Sequence, residues 1–254
     1  MCLMHIFLSF VSLRLYTILG FNIRHWQFDP RGSASVFGRF PYGQNLYRHA
    51  TGRCSNGLLI IDFIAKSAGI PLPNAYLNAN STKTHGVNFA VAGSTALPVE
   101  FLAENGVIAP VTNSSLTIQL KWMGRHFNTT CHNSKKISFM VGEIGGNDYN
   151  YAFFQGKTID ELTNIVKNVV KTIKEVVMRL LDLVLLELLF LEIFLLVACP
   201  YILLDSTNDS TAYDEFHCLK ELNNFSMYHN LHLQQAIKEL QEKYPHVTIV
   251  WRLL

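Results

Sequence analysis

Apolar residues recur at helical spacing along four stretches of the chain. Leu58 to Ala68 reads as a helix stopped by Gly69, with Pro71 beyond. Leu116, Leu120, Met123 and Phe127 share one face of a helix over 116–127. Leu162, Ile165, Val166, Val169, Ile173, Val176, Val177 and Leu180 form a longer stripe, and Thr158-Ile159-Asp160-Glu161 ahead of it has the form of a capping box. Leu222, Phe225, Leu233, Ala236, Ile237 and Leu240 mark a last helix, ended by Tyr244-Pro245. Such stripes are packing faces rather than cofactor sites. Shorter runs fall between them. Ile137 to Val141 has the form of a buried strand, Gly86 to Ala92 alternates weakly before Gly93-Ser94, and His246 to Trp251 reads as a strand after a helix. Strands alternating with helices predict an α/β domain with a mostly parallel sheet.

Two stretches do not follow this pattern. Met1 to Val36 reads poorly: Phe21 to Ser35 has no periodicity, and Asp29-Pro30-Arg31-Gly32 within it is a turn. Leu183 to Leu204 is apolar almost throughout and approaches the length of a membrane span. Glu187 and Glu192 inside it would be costly at a bilayer centre, which argues against a span.

Composition narrows the function classes. The chain has 254 residues, 49% of them hydrophobic and 16% charged, which suits one sizeable folded domain and excludes disorder. The net charge is +2 with Lys and Arg scattered, so no nucleic-acid surface is expected. Five cysteines (Cys2, Cys54, Cys131, Cys199, Cys218) stand far apart without zinc-type spacing and read as reduced, buried thiols, with a disulfide or two compatible with an oxidising compartment. His217, His229, His232 and His246 have no metal-ligand spacing and are expected at helix surfaces or ends. No cofactor and no metal is expected. Asn-X-Ser/Thr sequons at Asn80, Asn113, Asn128, Asn208 and Asn224 point toward a secretory origin. The N-terminus agrees only in part: Ile6 to Leu13 could form the apolar core of a signal peptide, but Arg14 interrupts it and no basic segment precedes it.

The stretch richest in chemistry is Ile137 to Phe154. The strand breaks into Gly142, Gly145 and Gly146, followed by Asn147 and Asp148. Glycines there let the backbone turn sharply and come close to a ligand. One reading is turn chemistry alone, since Asn-Asp after Gly-Gly is an ordinary turn. The other places the Asn147 amide as a donor in a cleft at the carboxyl edge of the sheet, where open α/β folds bind ligands and where an oxyanion needs fixed donors. Gly93, at the end of the Gly86–Ala92 run, likewise lets a backbone N–H approach a substrate.

PYGQNLYRHATGRCSNGLLIIDFIA at 41–65, NFAVAGST at 88–95 and GEIGGNDYNY at 142–151 occur in this order, and together they resemble the plant GDSL esterase/lipase family of the SGNH hydrolases. The likeness runs from Phe40 to Asp182 and resumes from Tyr213 to Val250. It implies a three-layer α/β/α, flavodoxin-like domain and ester hydrolysis through a serine ester, with Gly93 and Asn147 as oxyanion-hole donors. A lipid or small acyl ester is the implied substrate, and a secreted protein the implied setting. The family's first block, Gly-Asp-Ser-Leu, is missing from its expected place. Ser33 and Ser35 lie near it in order but read as loop residues. The Asp-x-x-His block would lie beyond Leu254, so the expected unit is an SGNH domain over 37–254 that is incomplete at both ends, preceded by an atypical segment 1–36.

Where the family carries a loop resembling PGNFPIGC, this chain has Leu191 to Ala198, LEIFLLVA. The codons CCT GGA AAT TTT CCT ATT GGT TGC spell the family loop, and read one base later they spell Leu-Glu-Ile-Phe-Leu-Leu-Val-Ala. Two compensating frame changes are therefore hypothesised around 183–204; a transcript that encodes LEIFLLVA in an intact frame sinks the annotation-error version. A substituted segment is expected to fit the sheet poorly and to leave the chain prone to aggregation. Three function classes follow: an ester hydrolase impaired in this chain, a non-catalytic remnant that binds an acyl or glycosyl ligand in a leftover cleft or binds nothing, and a protein anchored in a membrane through 183–204. A substitute triad would need Ser94 or another cleft serine within hydrogen-bond reach of a histidine such as His85 or His49. Asp62 is expected to be a solvated or capping carboxylate, and His49 and Arg53 to lie on a loop surface.

Overall fold

The structure, a computed structural model, describes residues 14–19, 39–45, 48–49, 55–78, 83, 85–130, 137–142, 144–183, 188–193, 210–216 and 218–253. Six strands form one sheet: β1 (Arg14–Leu19), β2 (Asn74–Ala75), β3 (Gly86–Asn88), β4 (Ile137–Gly142), β5 (Leu188–Ile193) and β6 (Thr248–Leu253). Their order is β2-β3-β1-β4-β5-β6, and every pairing is parallel. The helices are α1 (Ile60–Ser67), α2 (Val99–Glu104), α3 (Leu116–Thr130), α4 (Gly146–Phe154), α5 (Ile159–Leu183) and α6 (Lys220–Lys243).

The predicted stripes bury as patterned. Leu116, Leu120, Met123 and Phe127 of α3 are in the core, and the Phe127 ring meets Phe139 of β4 at 5.7 Å between centroids. All eight stripe residues of α5 are buried, as are the six apolar positions read on α6. The capping box forms: the Thr158 N–H donates to Glu161 Oε2 at 2.8 Å, and the Glu161 N–H donates to Thr158 Oγ1 at 3.3 Å. An ion pair between Lys174 and Glu239 joins α5 to α6 at the surface. In α1 the Leu59 N–H donates to Asp62 Oδ2 at 2.9 Å. Asp62 is therefore a cap, as one of its two readings held, but it is buried rather than solvated.

Four differences from the pattern have physical reasons. Strand β1 comes from the poorly reading segment 1–36, where no strand was expected; it lies between β3 and β4, with Leu15 opposite Gly86 and Leu19 opposite Gly142. A strand with neighbours on both sides does not have to alternate polar and apolar residues. Helix α2 has six residues, too few to show a period. The glycines after β4 make a turn only at Gly145, at φ +105°, and α4 begins at once. A Cβ at Gly145 would stand 2.9 Å from Val169 Cγ1, so α5 packs against that glycine. Finally, 188–193 forms β5, paired with β4 on one side and β6 on the other, where a poorly fitting segment had been expected. Its mostly apolar composition, with Phe190 and Ile193 among the residues favoured in strands, suits a strand paired on both sides whatever its origin. No described helix is long and apolar enough to cross a membrane. The apolar core of the suggested signal peptide, Ile6 to Leu13, lies outside the described residues.

Candidate active site

Strand order reverses at β1. The chain proceeds from β1 to β2 and β3 on one side, then crosses to β4 on the other. In parallel sheets the crevice at the carboxyl edge beside such a reversal is where ligands bind. The segments leaving β3 and β4 flank that crevice, and they carry Gly93 and Asn147.

The segment after β3 is buried almost completely from Phe89 to Leu97. A buried backbone must find partners for its polar groups, and this one finds them in side chains. The Ala90 N–H donates to Asn88 Oδ1 at 2.9 Å, and Ser94 N–H closes a turn onto the Val91 carbonyl at 3.2 Å. Ser94 Oγ donates to the Ser114 carbonyl at 2.8 Å, and Thr95 Oγ1 donates to the Leu97 carbonyl at 2.7 Å. Gly93 itself has φ +73°, a conformation that suits glycine.

Four further polar groups of this segment are met by α4. Tyr151 Oη donates to the Gly93 carbonyl at 2.8 Å. Asn147 Nδ2 donates to the Ser94 carbonyl at 2.8 Å. Asp148 accepts twice, from the Ala96 N–H at Oδ2 (2.8 Å) and from the Leu97 N–H at Oδ1 (2.9 Å). The two predicted donors are thus adjacent, joined through the Ser94 carbonyl, and Asn147 is buried.

Burial sets the electrostatics. Loss of hydration pushes the Asp148 carboxyl up to about 7 although the Leu97 and Ala96 N–H bonds favour the charged form. Tyr149 and Tyr151 are raised as well, first by burial and then by the Asp148 charge. Behind Asp148, Tyr149 Oη lies 2.8 Å from His229 Nδ1 of α6, with donor and acceptor set by the tautomer. His229 is buried, not at the helix surface as expected, and burial followed by the nearby His232 lowers its pKa to about 4. It is therefore neutral at pH 7.

The substitute triad does not assemble around Ser94. Its hydroxyl is held by the Ser114 carbonyl, and His49 and His85 are exposed on other loops. Ser33, Ser35, Arg53 and His217 lie outside the described residues. The first serine after β1 in the chain is Ser33. Asp214 and His217 reproduce an Asp-x-x-His spacing that the reading had passed over. Asp214 serves the local fold, accepting the Phe216 and Cys218 N–H groups at 2.9 and 2.8 Å and the Asn223 amide at 3.0 Å. Asp148 and Tyr151, which bond the Gly93 segment, are the residues that the sequence reading missed, and Tyr149 is a packing contact behind them rather than part of the site. The pattern Asn-Asp-Tyr-Asn-Tyr was visible, but its partners lie about fifty or eighty residues away along the chain.

The pattern of the GDSL-like lipase/acylhydrolase family matches residues 31–251. A GDSL esterase/lipase of Arabidopsis thaliana is 42% identical over 221 residues, covering 83% of this chain and 57% of the relative. Acetylajmalan esterase of Rauvolfia serpentina is 37% identical, covering 87% of this chain and 59% of its own length. Sinapine esterase of Brassica napus is 37% identical, covering 83% and 57%. The chain thus spans less than two thirds of each of these relatives. Strand β1 precedes the family match, whereas β3, β4 and the residues around Gly93 and Asn147 fall within it.

Proposed function

The chain belongs to the GDSL-like lipase/acylhydrolase family, and from that premise we propose that it carries the oxyanion-stabilising half of a carboxylic ester hydrolase site. Gly93 would donate its backbone N–H and Asn147 its side-chain amide to the oxygen that becomes negative when a nucleophile attacks the ester carbonyl. The observation that carries this reading is the locking of the Gly93 segment onto α4 at the carboxyl edge of the sheet. The all-parallel order β3-β1-β4 and the packed pair α5 and α6 favour the three-layer, flavodoxin-like arrangement for the whole unit. An acyl ester is the proposed substrate class, as the names of the relatives suggest. Secretion is part of the same reading, supported by the exposed sequons Asn113, Asn128 and Asn224.

The nucleophile is the missing half. No Gly-Asp-Ser-Leu occurs in the sequence, and the serine next to Gly93 is committed to Ser114. An oxyanion hole without its triad retains about 10³- to 10⁴-fold catalysis over water at best. For a stable ester that residual rate is hard to see above background, so the chain as it stands is expected to hydrolyse esters at a rate close to background.

The test supplies the nucleophile from outside. A short-chain p-nitrophenyl ester is assayed with the chain and with Asn147→Ala, each alone and with added hydroxylamine. Hydroxylamine attacks the carbonyl carbon, p-nitrophenolate leaves, and the oxyanion forms on the way. The expected result is background rate alone and hydroxylaminolysis faster with the unmodified chain than with the variant. Equal hydroxylaminolysis by both would remove the oxyanion assignment. Clear turnover without hydroxylamine that falls in Asn147→Ala would show that the chain has a nucleophile of its own.

A further inference from the structure

We propose that Asp148 is the positioning residue of this site: by accepting the Ala96 and Leu97 N–H groups together, its carboxylate sets where Gly93 stands relative to the Asn147 amide. The inference rests on the oxyanion reading of Gly93 and Asn147. It is not part of that reading, since Asp148 itself faces away from any substrate into two backbone groups.

A carboxylate in the first turn of a helix ordinarily caps or solvates its own helix. Asp148, besides its own backbone N–H, takes with one oxygen each the two consecutive N–H groups of a segment 51 and 52 residues earlier in the chain. Two bonds from one planar group fix orientation as well as distance, and above about pH 7, where Asp148 is charged, they are stronger than bonds between neutral groups. The other contacts between the segment and α4, from Tyr151 to Gly93 and from Asn147 to Ser94, are single bonds between neutral groups. Gly93 lies three residues before Ala96, and Asn147 is the immediate neighbour of Asp148. Movement of the carboxylate clamp therefore displaces the two donors relative to each other.

Burial makes this an expensive way to hold a loop. Asp148 is completely buried, and desolvation outweighs its hydrogen bonds. Apolar packing would hold the two segments together without that penalty. What apolar packing cannot do is fix the direction of two peptide N–H groups. The ionisable groups facing Asp148 are Tyr149 and Tyr151 on its own helix and, behind Tyr149, His229 of α6. The segment 93–97 has no ionisable side chain.

The experiment follows the assigned backbone amides of Gly93, Ala96 and Leu97 and the side-chain amide of Asn147 by nuclear magnetic resonance in the full chain. In the unmodified protein, across pH 5 to 9, all four resonances are expected to move with one shared midpoint. Asp148→Asn is expected to shift the Gly93 and Asn147 resonances and to bring hydroxylaminolysis down toward the Asn147→Ala rate. Tyr149→Phe, a change on the same helix as Asp148 that breaks the buried bond to His229 of α6, is expected to do neither. Movement of Ala96 and Leu97 while Gly93 and Asn147 stay still would overturn the proposal. The unmodified chain reads this directly, so an Asp148 variant that fails to fold does not prevent the test. Equal displacement by Tyr149→Phe would also overturn it, by assigning the effect to general loosening of α4. If the resonances are coupled but Asn147→Ala leaves hydroxylaminolysis unchanged, the oxyanion reading fails and this inference fails with it; lost coupling with an intact Asn147 effect removes this inference alone.

Discussion

At Gly93 the backbone sits at φ +73°, and a Cβ there would come within 2.5 Å of the Val111 side chain and 2.6 Å of Tyr151 Oη. Conformational strain and overpacking both oppose a side chain at this position. Gly93→Ala is expected to cost about 2 to 5 kcal/mol in a urea unfolding experiment. A cost near zero would mean that the segment relaxes freely, which its bonds to α4 oppose. Asp148 and His229 give stability a pH dependence of opposite signs. Asp148 rises from 3.8 in the unfolded chain to about 7 when folded, so the folded state binds the extra proton between those values. The stability linked to it is complete below about 4 and is lost as the pH rises through 7. His229 falls from 6.5 to about 4, so the folded state binds fewer protons in that window. Its contribution is present above 6.5 and is lost as the pH falls through 4. Unfolding midpoints measured from pH 4 to 8 are expected to separate the two. Asp148→Asn leaves stability rising with pH up to about 6.5, and His229→Gln leaves it falling up to about 7. The same slope in both variants would contradict the assignment of these two groups. Periodicity placed His229 on a helix but could not show that it was buried, because that depends on Tyr149 arriving from another helix.

Among the elements, β5 departs furthest from the sequence reading. An apolar run that departs from the family loop was expected to leave a gap in the sheet. It pairs instead over Leu188–Ile193, with Leu191 opposite Val141 on one side and Trp251 on the other. Ladder pairing uses backbone groups, and any extended apolar run of this length can offer them to two waiting strands. Proline at Leu191 would remove an N–H in a strand paired on both sides, a position where proline is not found. Leu191→Pro is expected to cost about 3 kcal/mol or more and to lower the melting temperature by about 6 to 12 °C, or to leave the chain insoluble. An unchanged melting temperature would mean that 188–193 contributes no strand. The four long helical and stripe readings hold because each shows its period over several turns. Helix α4 has the same hydrogen bonds but a sequence, GNDYNYAFF, whose polar residues face inward to serve the segment after β3. A periodicity argument that assigns polar residues to solvent passes over such a helix.

For the whole molecule, the continuous sheet weakens the earlier reason to expect aggregation, because that expectation followed from a missing strand. The exposed positions of Asn113, Asn128 and Asn224 leave these sequons accessible to glycan transfer if the chain enters the secretory pathway. Chain expressed in plant cells is therefore expected to gain mobility on a gel after glycosidase digestion, and unchanged mobility would count against secretion. The sequence by itself determined the α/β class, the buried faces of α3, α5 and α6, the capping box at Thr158 and Glu161, and the family to which Gly93 and Asn147 pointed. These are properties of residues close together in the chain, or of motifs long enough to be recognised whole. Only the tertiary structure decided that β1 lies at the centre of the sheet, that 188–193 completes it, and that Asp148 and His229 are buried against partners. Those outcomes depend on contacts between residues about fifty to eighty positions apart, or between β1 and β4, which lie farther apart still in the chain. A local pattern records what a residue prefers, whereas burial and pairing depend on which distant segment arrives beside it.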